Sequence, residues 1–146
     1  MASVATYLNF MGRTEEAFEF YKSVFATEYL GDLMRMGDVP PSPEMPALSD
    51  ADRQAVMHVA LPILGGHHLM GTDALDSIGP TRVPGNNVRI MLKPDAGEEA
   101  DGLFAKLSAG GSDLMPMQDM FWGDYFGGVC DRFGIRWMID VPSQPS

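Results

Sequence analysis

The sequence of 146 residues has little of several features that mark particular classes of protein. Its single cysteine, Cys130, excludes an intramolecular disulfide and a cysteine-based zinc site. Basic residues are scarce, since 10 Lys and Arg stand against 20 Asp and Glu and the net charge is −10. Nucleic-acid binding needs a basic face for phosphate contacts. We therefore expect no nucleic-acid partner.

Several motifs and long apolar runs are also missing. The sequence contains neither GxGxxG nor GxxxxGK[ST], the loops that hold phosphates, and it has no GxSxG nucleophile turn. No apolar run approaches the roughly 18 residues of a membrane-spanning helix. The first 16 residues lack a basic stretch followed by a long apolar core, so a signal peptide is not expected. These absences predict a cytoplasmic protein with no membrane partner.

The remaining composition is that of an ordinary folded domain. Hydrophobic residues make up 45% and charged residues 21% of the chain. A chain of this length buries roughly 68–70% of the surface that it exposes when unfolded. We therefore expect residues 1–146 to form a single domain that needs neither disulfides nor a metal to fold.

Hydrophobic periodicity predicts the same order of elements twice, β-α-β-β-β. In the first half we predict strands at 4–11, 28–36, 55–63 and 67–72 and a helix at 14–25. In the second half we predict strands at 88–93, 112–117, 125–130 and 135–141 and a helix that ends at Ala109. Asp95 and Glu98 have the spacing of a capping box at the start of that helix. Loops are predicted at 38–50, which contains four prolines, and at 73–87.

Short stretches of the two halves also match in sequence and in the same order. The matches are Glu15-Glu16-Ala17 with Glu98-Glu99-Ala100, the sequence DLMRM from Asp32 with DLMPM from Asp113, and Gly66-x-x-Leu69-Met70 with Gly134-x-x-Trp137-Met138. Three matches in one order predict two copies of a βαβββ module, at about 1–75 and 86–142. Each copy leaves one face of its sheet without a helix, and a cleft between such repeats is a common kind of ligand site.

Three segments resemble the PhnB-like branch of the vicinal oxygen chelate superfamily, which includes glyoxalase I and the bleomycin-resistance proteins. They are FEFYKSVF at 18–25, LSAGG at 107–111 and FWGDYFGGVCDRFGIRWMID at 121–140. The resemblance implies an α+β fold of paired βαβββ modules forming a cleft, and a homodimer. Some relatives are described as demethylubiquinone methyltransferases, but the sequence shows no loop for a methyl donor, so that activity is not carried over.

The resemblance also implies where a metal would bind in the metal-dependent members, which use His or Glu from the first and last strand of each module. The last-strand positions correspond to Met70 and Met138, and the first-strand positions lie near Thr6 or Tyr7 and near Arg89. None of these is His or Glu, and a thioether is a poor ligand for hard or borderline divalent ions. We therefore predict no metal at this site.

Other polar and aromatic side chains are candidates for binding a small molecule. The predicted ligand-binding residues are Tyr7, His58, Met70, Asp73, Asn87, Phe121, Trp122, Tyr125 and Met138. His58 could act as a general base or as a structural histidine, and Asp73 could lie in the cleft or cap a turn. The aromatic loop 121–125 could line the cleft or a dimer interface.

Five further residues are predicted to have structural rather than functional roles. His67 and His68 are adjacent on a strand and point to opposite faces, so they are poorly placed to share a metal. Asp131 and Gly134 are typical of a turn, and Cys130 has no assignable basic neighbour that would make it a nucleophile.

The sequence thus favours a protein that binds a small apolar or aromatic molecule without a metal or cofactor. The alternatives are a lyase or dioxygenase with displaced metal ligands, an acid–base enzyme that uses His58, and a structural dimer whose cleft is filled by its own side chains.

Overall fold

The computed structural model describes residues 1–40, 42–43, 47–77 and 82–143. The chain divides into two compact units, Met1–Val83 and Pro84–Ser146. Each unit contains one four-stranded sheet and one long helix. The predicted α+β class is therefore confirmed.

The N-terminal unit follows the predicted β-α-β-β-β order with one added short helix. Its strands are β1 (Thr6–Phe10), β2 (Met34–Arg35), β3 (Val56–Pro62) and β4 (His68–Asp73), and its helices are α1 (Thr14–Phe25) and α2 (Asp50–Gln54). The strand order is β1-β4-β3-β2. Strand β1 runs parallel to β4, and the other pairs are antiparallel.

Helix α1 buries one stripe of its surface against this sheet, because its apolar side chains recur every three or four residues. Ala17, Phe18 and Tyr21 in this stripe have no solvent exposure. Gly71 on β4 allows the helix to approach closely, since a Cβ there would lie 2.5 Å from the Phe18 ring. The core of the unit therefore lies between α1 and one face of the sheet.

The C-terminal unit repeats this arrangement. It contains β5 (Ile90–Leu92), α3 (Gly97–Ser108), β6 (Ser112–Asp119), β7 (Tyr125–Cys130) and β8 (Arg136–Val141). The strand order β5-β8-β7-β6 has the same pattern as in the first unit, with β5 parallel to β8. The two similar units agree with the internal repeat that the sequence predicts.

The core of the C-terminal unit is centred on Trp137, which is completely buried. Its indole N–H donates to Oδ2 of Asp131 at 2.8 Å, and Oδ1 of the same carboxylate accepts the backbone N–H groups of Phe133 and Ile135. The buried Asp131 thus organises the β7–β8 turn, in agreement with its predicted structural role.

Three predicted elements differ in the structure. The strand predicted at 28–36 is formed only at Met34–Arg35, and Gly31 before it has a φ of +74° that is incompatible with a strand. The predicted loop 38–50 ends in α2, whose N-terminus is capped by the Ser49 side chain. Helix α3 begins at Gly97 and has no side-chain cap, so the capping box predicted at Asp95 is wrong.

Parts of the two predicted loops, at 41, 44–46 and 78–81, and the chain end at 144–146 lie outside the described residues. None of the helices in the described ranges is long and apolar enough to cross a membrane.

Candidate functional site

In each unit the face of the sheet opposite the long helix is here called the helix-free face. Its side chains do not pack between the helix and the sheet. On the N-terminal sheet, Tyr7 of β1 is the register partner of Met70 of β4, and Met70 is also paired with Ala60 of β3. Side chains of register partners point to the same face. Their neighbours Leu8 and Leu69 are buried on the other face. Tyr7 and Met70 therefore share the helix-free face.

His58 on β3 completes this group, since it lies two residues before Ala60. The Tyr7 hydroxyl and Nδ1 of His58 are 3.2 Å apart, and their rings are 5.9 Å apart. Tyr7 is 48% exposed, so this hydrogen bond faces solvent. A phenol bonded to an imidazole can donate or accept a proton, with the role of Nδ1 set by the tautomer. The structure thus brings together three residues that the sequence proposes separately.

The helix-free face of the C-terminal sheet carries a row of methionines. Met138 on β8 is the register partner of Met91 on β5 and of Gly128 on β7, and Gly128 is paired with Met115 on β6. Met91 and Met115 are 45% and 38% exposed. Thioether side chains are flexible and polarisable, so this row can adapt to apolar ligands of different shape.

Aromatic side chains lie along the same face, beyond the methionine row. The Trp122 ring packs at 4.9 Å from Phe121 and at 6.3 Å from Phe126 in edge-on geometry. Phe126 is the register partner of Asp140, which is two residues from Met138 on β8. The methionines and Phe126, with Trp122 packed against it, therefore lie on one face of the C-terminal sheet.

Two interacting carboxyl groups, Asp124 and Asp140, lie at the aromatic end of this surface. Asp124 accepts the backbone N–H of Ser143 at 3.0 Å, and this hydrogen bond is the main cause that lowers the pKa of Asp124. Burial, followed by the hydrogen bond to Asp124, raises the pKa of Asp140, which is 6% exposed. The opposite shifts make Asp140 the weaker acid of the pair, so it loses its proton at a higher pH than Asp124.

The structure does not place Asp73 with the other predicted ligand-binding residues. Its buried carboxylate accepts the backbone N–H groups of Gly12, Thr14 and Val56 and the hydroxyl of Thr14, at 2.6 to 3.2 Å. It caps the start of α1 and joins that start to β3. These donors occupy both oxygens and give Asp73 a structural role, and its role in ligand binding stays a prediction.

Tyr125 and Asn87 also lie apart from the two groups. The Tyr125 hydroxyl donates to Asp101 of α3 at 2.5 Å, and its ring lies over Gly97, so it belongs to the helix-bearing face. This hydrogen bond is the main cause that raises the pKa of Tyr125. The aromatic loop 121–125 is therefore divided between the two faces. Asn87 is exposed in the bend before β5, and its role in binding stays a prediction.

The family resemblance implies that the last-strand positions of the superfamily's metal ligands correspond to Met70 and Met138. The parallel register pairs Met70 with Tyr7 and Met138 with Met91, so Met91, two residues after Arg89, is the first-strand partner in the second unit. A phenol and three thioethers do not fit a hard or borderline divalent ion. No group of three or more His, Cys, Asp or Glu residues suited to a metal occurs in the described part of the chain.

His68 lies two residues before Met70 on β4, and Cys130 is the register partner of Arg136, so both belong to the helix-free faces without joining the groups described above. Nε2 of His67 lies 2.9 Å from the Thr6 hydroxyl, and His68 is exposed. Cys130 is buried. The interpretation of these residues as structural agrees with the geometry.

Comparison with known structures gives the class of the fold. The chain matches a glyoxalase/bleomycin-resistance/dioxygenase domain from Frankia, with a TM-score of 0.64 and 13% identity over 100% of this chain and 96% of that one. It matches protein PA1353 from Pseudomonas aeruginosa with a TM-score of 0.81 and 28% identity, over 99% and 100% of the two chains. A PhnB protein from Bacillus cereus gives a TM-score of 0.68 and 25% identity over 97% and 100%. The fold is therefore that of the glyoxalase/bleomycin-resistance superfamily.

Sequence comparison gives the family within that class. The profile of the family described as 3-demethylubiquinone-9 3-methyltransferase matches residues 2–140. The chain belongs to this PhnB-like family, which confirms the resemblance found in the sequence. It is also 30% identical to protein YjdN from Escherichia coli K12, over 97% of this chain and 96% of YjdN.

The register also brings into these surfaces residues that were not predicted from the sequence. They are Met91, Met115, Phe126, Arg136 and Asp140. Met138 was predicted, and strand alternation places Arg136 and Asp140 on the same face of β8. The alternation along β8 can be read from the sequence, but the identity of the strands beside β8 cannot.

Proposed function

We propose that this PhnB-like protein binds a small apolar or aromatic molecule on its helix-free faces and does so without a divalent metal. The observation that carries the proposal is the identity of the residues at the four strand positions, one tyrosine and three methionines. These side chains offer polarisable apolar surface in place of metal ligands. The packed rings of Trp122 and Phe126 extend that surface on the C-terminal sheet.

A thermal-shift screen with small aromatic and apolar compounds tests the proposal. A ligand at 100 times its Kd stabilises the folded protein by about 2.7 kcal/mol, which corresponds to roughly 5–10 °C in Tm for a domain of this size. Two variants of partly exposed residues identify the face that binds. Tyr7→Ala tests the N-terminal sheet, and Trp122→Ala tests the C-terminal sheet. Val83→Ala, at a position that is 86% exposed, is the control.

The expected result is a shift that persists after dialysis against a chelator, is lost in one of the two face variants and is kept in the control. If no compound raises Tm, or if elemental analysis finds one tightly held divalent ion per chain, the proposal is wrong. Sedimentation of the protein with and without ligand tests the homodimer that we propose from the family resemblance.

A second candidate function is acid–base catalysis, which the Tyr7–His58 hydrogen bond favours. Both groups are accessible, and a histidine oriented by a second group is a common general base. Ligands found in the screen are incubated with the protein and followed by NMR. Conversion that is lost in His58→Gln but kept in His67→Gln would support an enzyme, whereas ligands that stay unchanged would contradict it.

A further inference from the structure

A cavity of about 280 Å³ within the C-terminal unit contains two arginines, although the protein as a whole has a net charge of −10. It is lined by Arg89, before β5, and by Arg136, the first residue of β8, together with Asp113, Met115 and Gly128. Ile90 and Trp137 are parallel register partners, so Arg89 and Arg136 precede adjacent positions on neighbouring strands. The fold thus places two guanidinium groups at one cavity.

The hydrogen-bonding capacity of these two arginines is largely unused. Nη1 of Arg136 binds Oδ2 of Asp113 at 3.1 Å, whereas its Nε is buried with no hydrogen-bond partner in the described part of the chain. Arg89 forms neither a hydrogen bond nor an ion pair with any residue that the structure describes. Two cations face one carboxylate, so the cavity has an excess of positive charge and a buried donor that lacks an acceptor.

We propose that this cavity binds the oxyanion group, carboxylate or phosphoryl, of a small organic acid. Guanidinium groups present planar pairs of N–H donors that match such oxygens. The volume is just below the range of roughly 300–1,000 Å³ for pockets that enclose drug-sized ligands, which suits the charged end of a small molecule. Gly128 keeps the floor free of side-chain atoms, and Met115 provides an apolar wall.

The apolar body of the ligand would then lie on the methionine row. Met138 is paired with Gly128, and Met91 lies two residues after Arg89. This inference rests on the proposed function, because it assigns the charged end of the molecule whose apolar part that function places on the helix-free face. It narrows the ligand class from apolar or aromatic compounds to aromatic or aliphatic acids.

The test is a titration of ¹⁵N-labelled protein by NMR with benzoate, phenyl phosphate and benzyl alcohol. The three probes share an aromatic ring and differ in the charged group, so the first two distinguish a carboxylate from a phosphoryl ligand. We expect at least one acid to bind about tenfold or more tightly than benzyl alcohol. Its binding should change the amide chemical shifts at the start of β5 and β8. Arg89→Gln should remove that preference and leave the affinity for benzyl alcohol unchanged.

Lys106→Gln is the matched control, because it removes one positive charge from an exposed residue of α3, and it should keep the preference. Equal binding of all three probes, or a preference that survives Arg89→Gln, would overturn the oxyanion site while leaving the proposed function intact. If benzyl alcohol and both acids fail to bind at millimolar concentration, both proposals are contradicted for single-ring ligands. Arg89 is exposed and without partners among the described residues, so the variant is expected to fold.

Discussion

Replacing Asp73 should destabilise the protein strongly, because its carboxylate holds the start of α1 against the sheet. The side chain is 4% exposed and accepts four hydrogen bonds, three from backbone N–H groups. A buried donor that loses its acceptor costs about 1–3 kcal/mol. Three such backbone donors give an expected loss of roughly 3–9 kcal/mol for Asp73→Ala, a large part of the 5–15 kcal/mol of a typical domain.

The conservative variant Asp73→Asn separates the contributions of the two oxygens. Oδ1 accepts from Gly12 and Thr14, and an amide oxygen in its place keeps those bonds. Oδ2 accepts from the N–H of Val56, and an amide NH₂ there would place donor against donor. We therefore expect Asp73→Asn to lose about 1–3 kcal/mol, less than Asp73→Ala.

Urea unfolding followed by circular dichroism measures both losses, with a constant m-value as the check that only stability has changed. Asp95→Ala is the control, since its predicted cap is absent and a surface substitution should stay within about 0.5 kcal/mol. A loss below about 0.5 kcal/mol for Asp73→Ala would refute the capping role.

Two further predictions concern helix packing and pH. Gly71→Ala should lower the free energy of unfolding in urea by about 1–3 kcal/mol, because the added methyl would meet the Phe18 ring. Gly102→Ala, at an open position of α3, should instead raise it by up to about 1 kcal/mol. Similar effects at both sites would contradict the close packing of α1 on Gly71. Burial and Asp124 raise the pKa of Asp140 in the folded state, so stability should fall as pH rises above the unfolded value of about 4 towards the folded pKa. Asp140→Asn should flatten that fall in a series of Tm values above pH 4, where the lowered pKa of Asp124 has little effect, and an unchanged slope would refute the raised pKa of Asp140.

Local sequence patterns were sufficient for the long elements. The helix predicted at 14–25 and the strand predicted at 125–130 have the observed bounds, because each is defined by its own periodicity and by the turn residues next to it. Most of the strand predicted at 28–36 does not form, because pairing with a neighbouring strand, not the local pattern, determines its extent. Only Met34 and Arg35 form ladder pairs with β3, with a register shift between them, and Leu30 adds a single backbone hydrogen bond to Ala60.

The sequence by itself determined the two repeated modules, the family and most of the apolar positions, because these depend on periodicity and on matches along the chain. The tertiary structure decided which side chains meet. It places Tyr7 in hydrogen-bonding contact with His58, 51 residues away in sequence. It also buries the carboxylate of Asp73 and places Arg89 and Arg136 at one cavity. Strand order and register bring distant residues together, and these depend on long-range packing that no local pattern records.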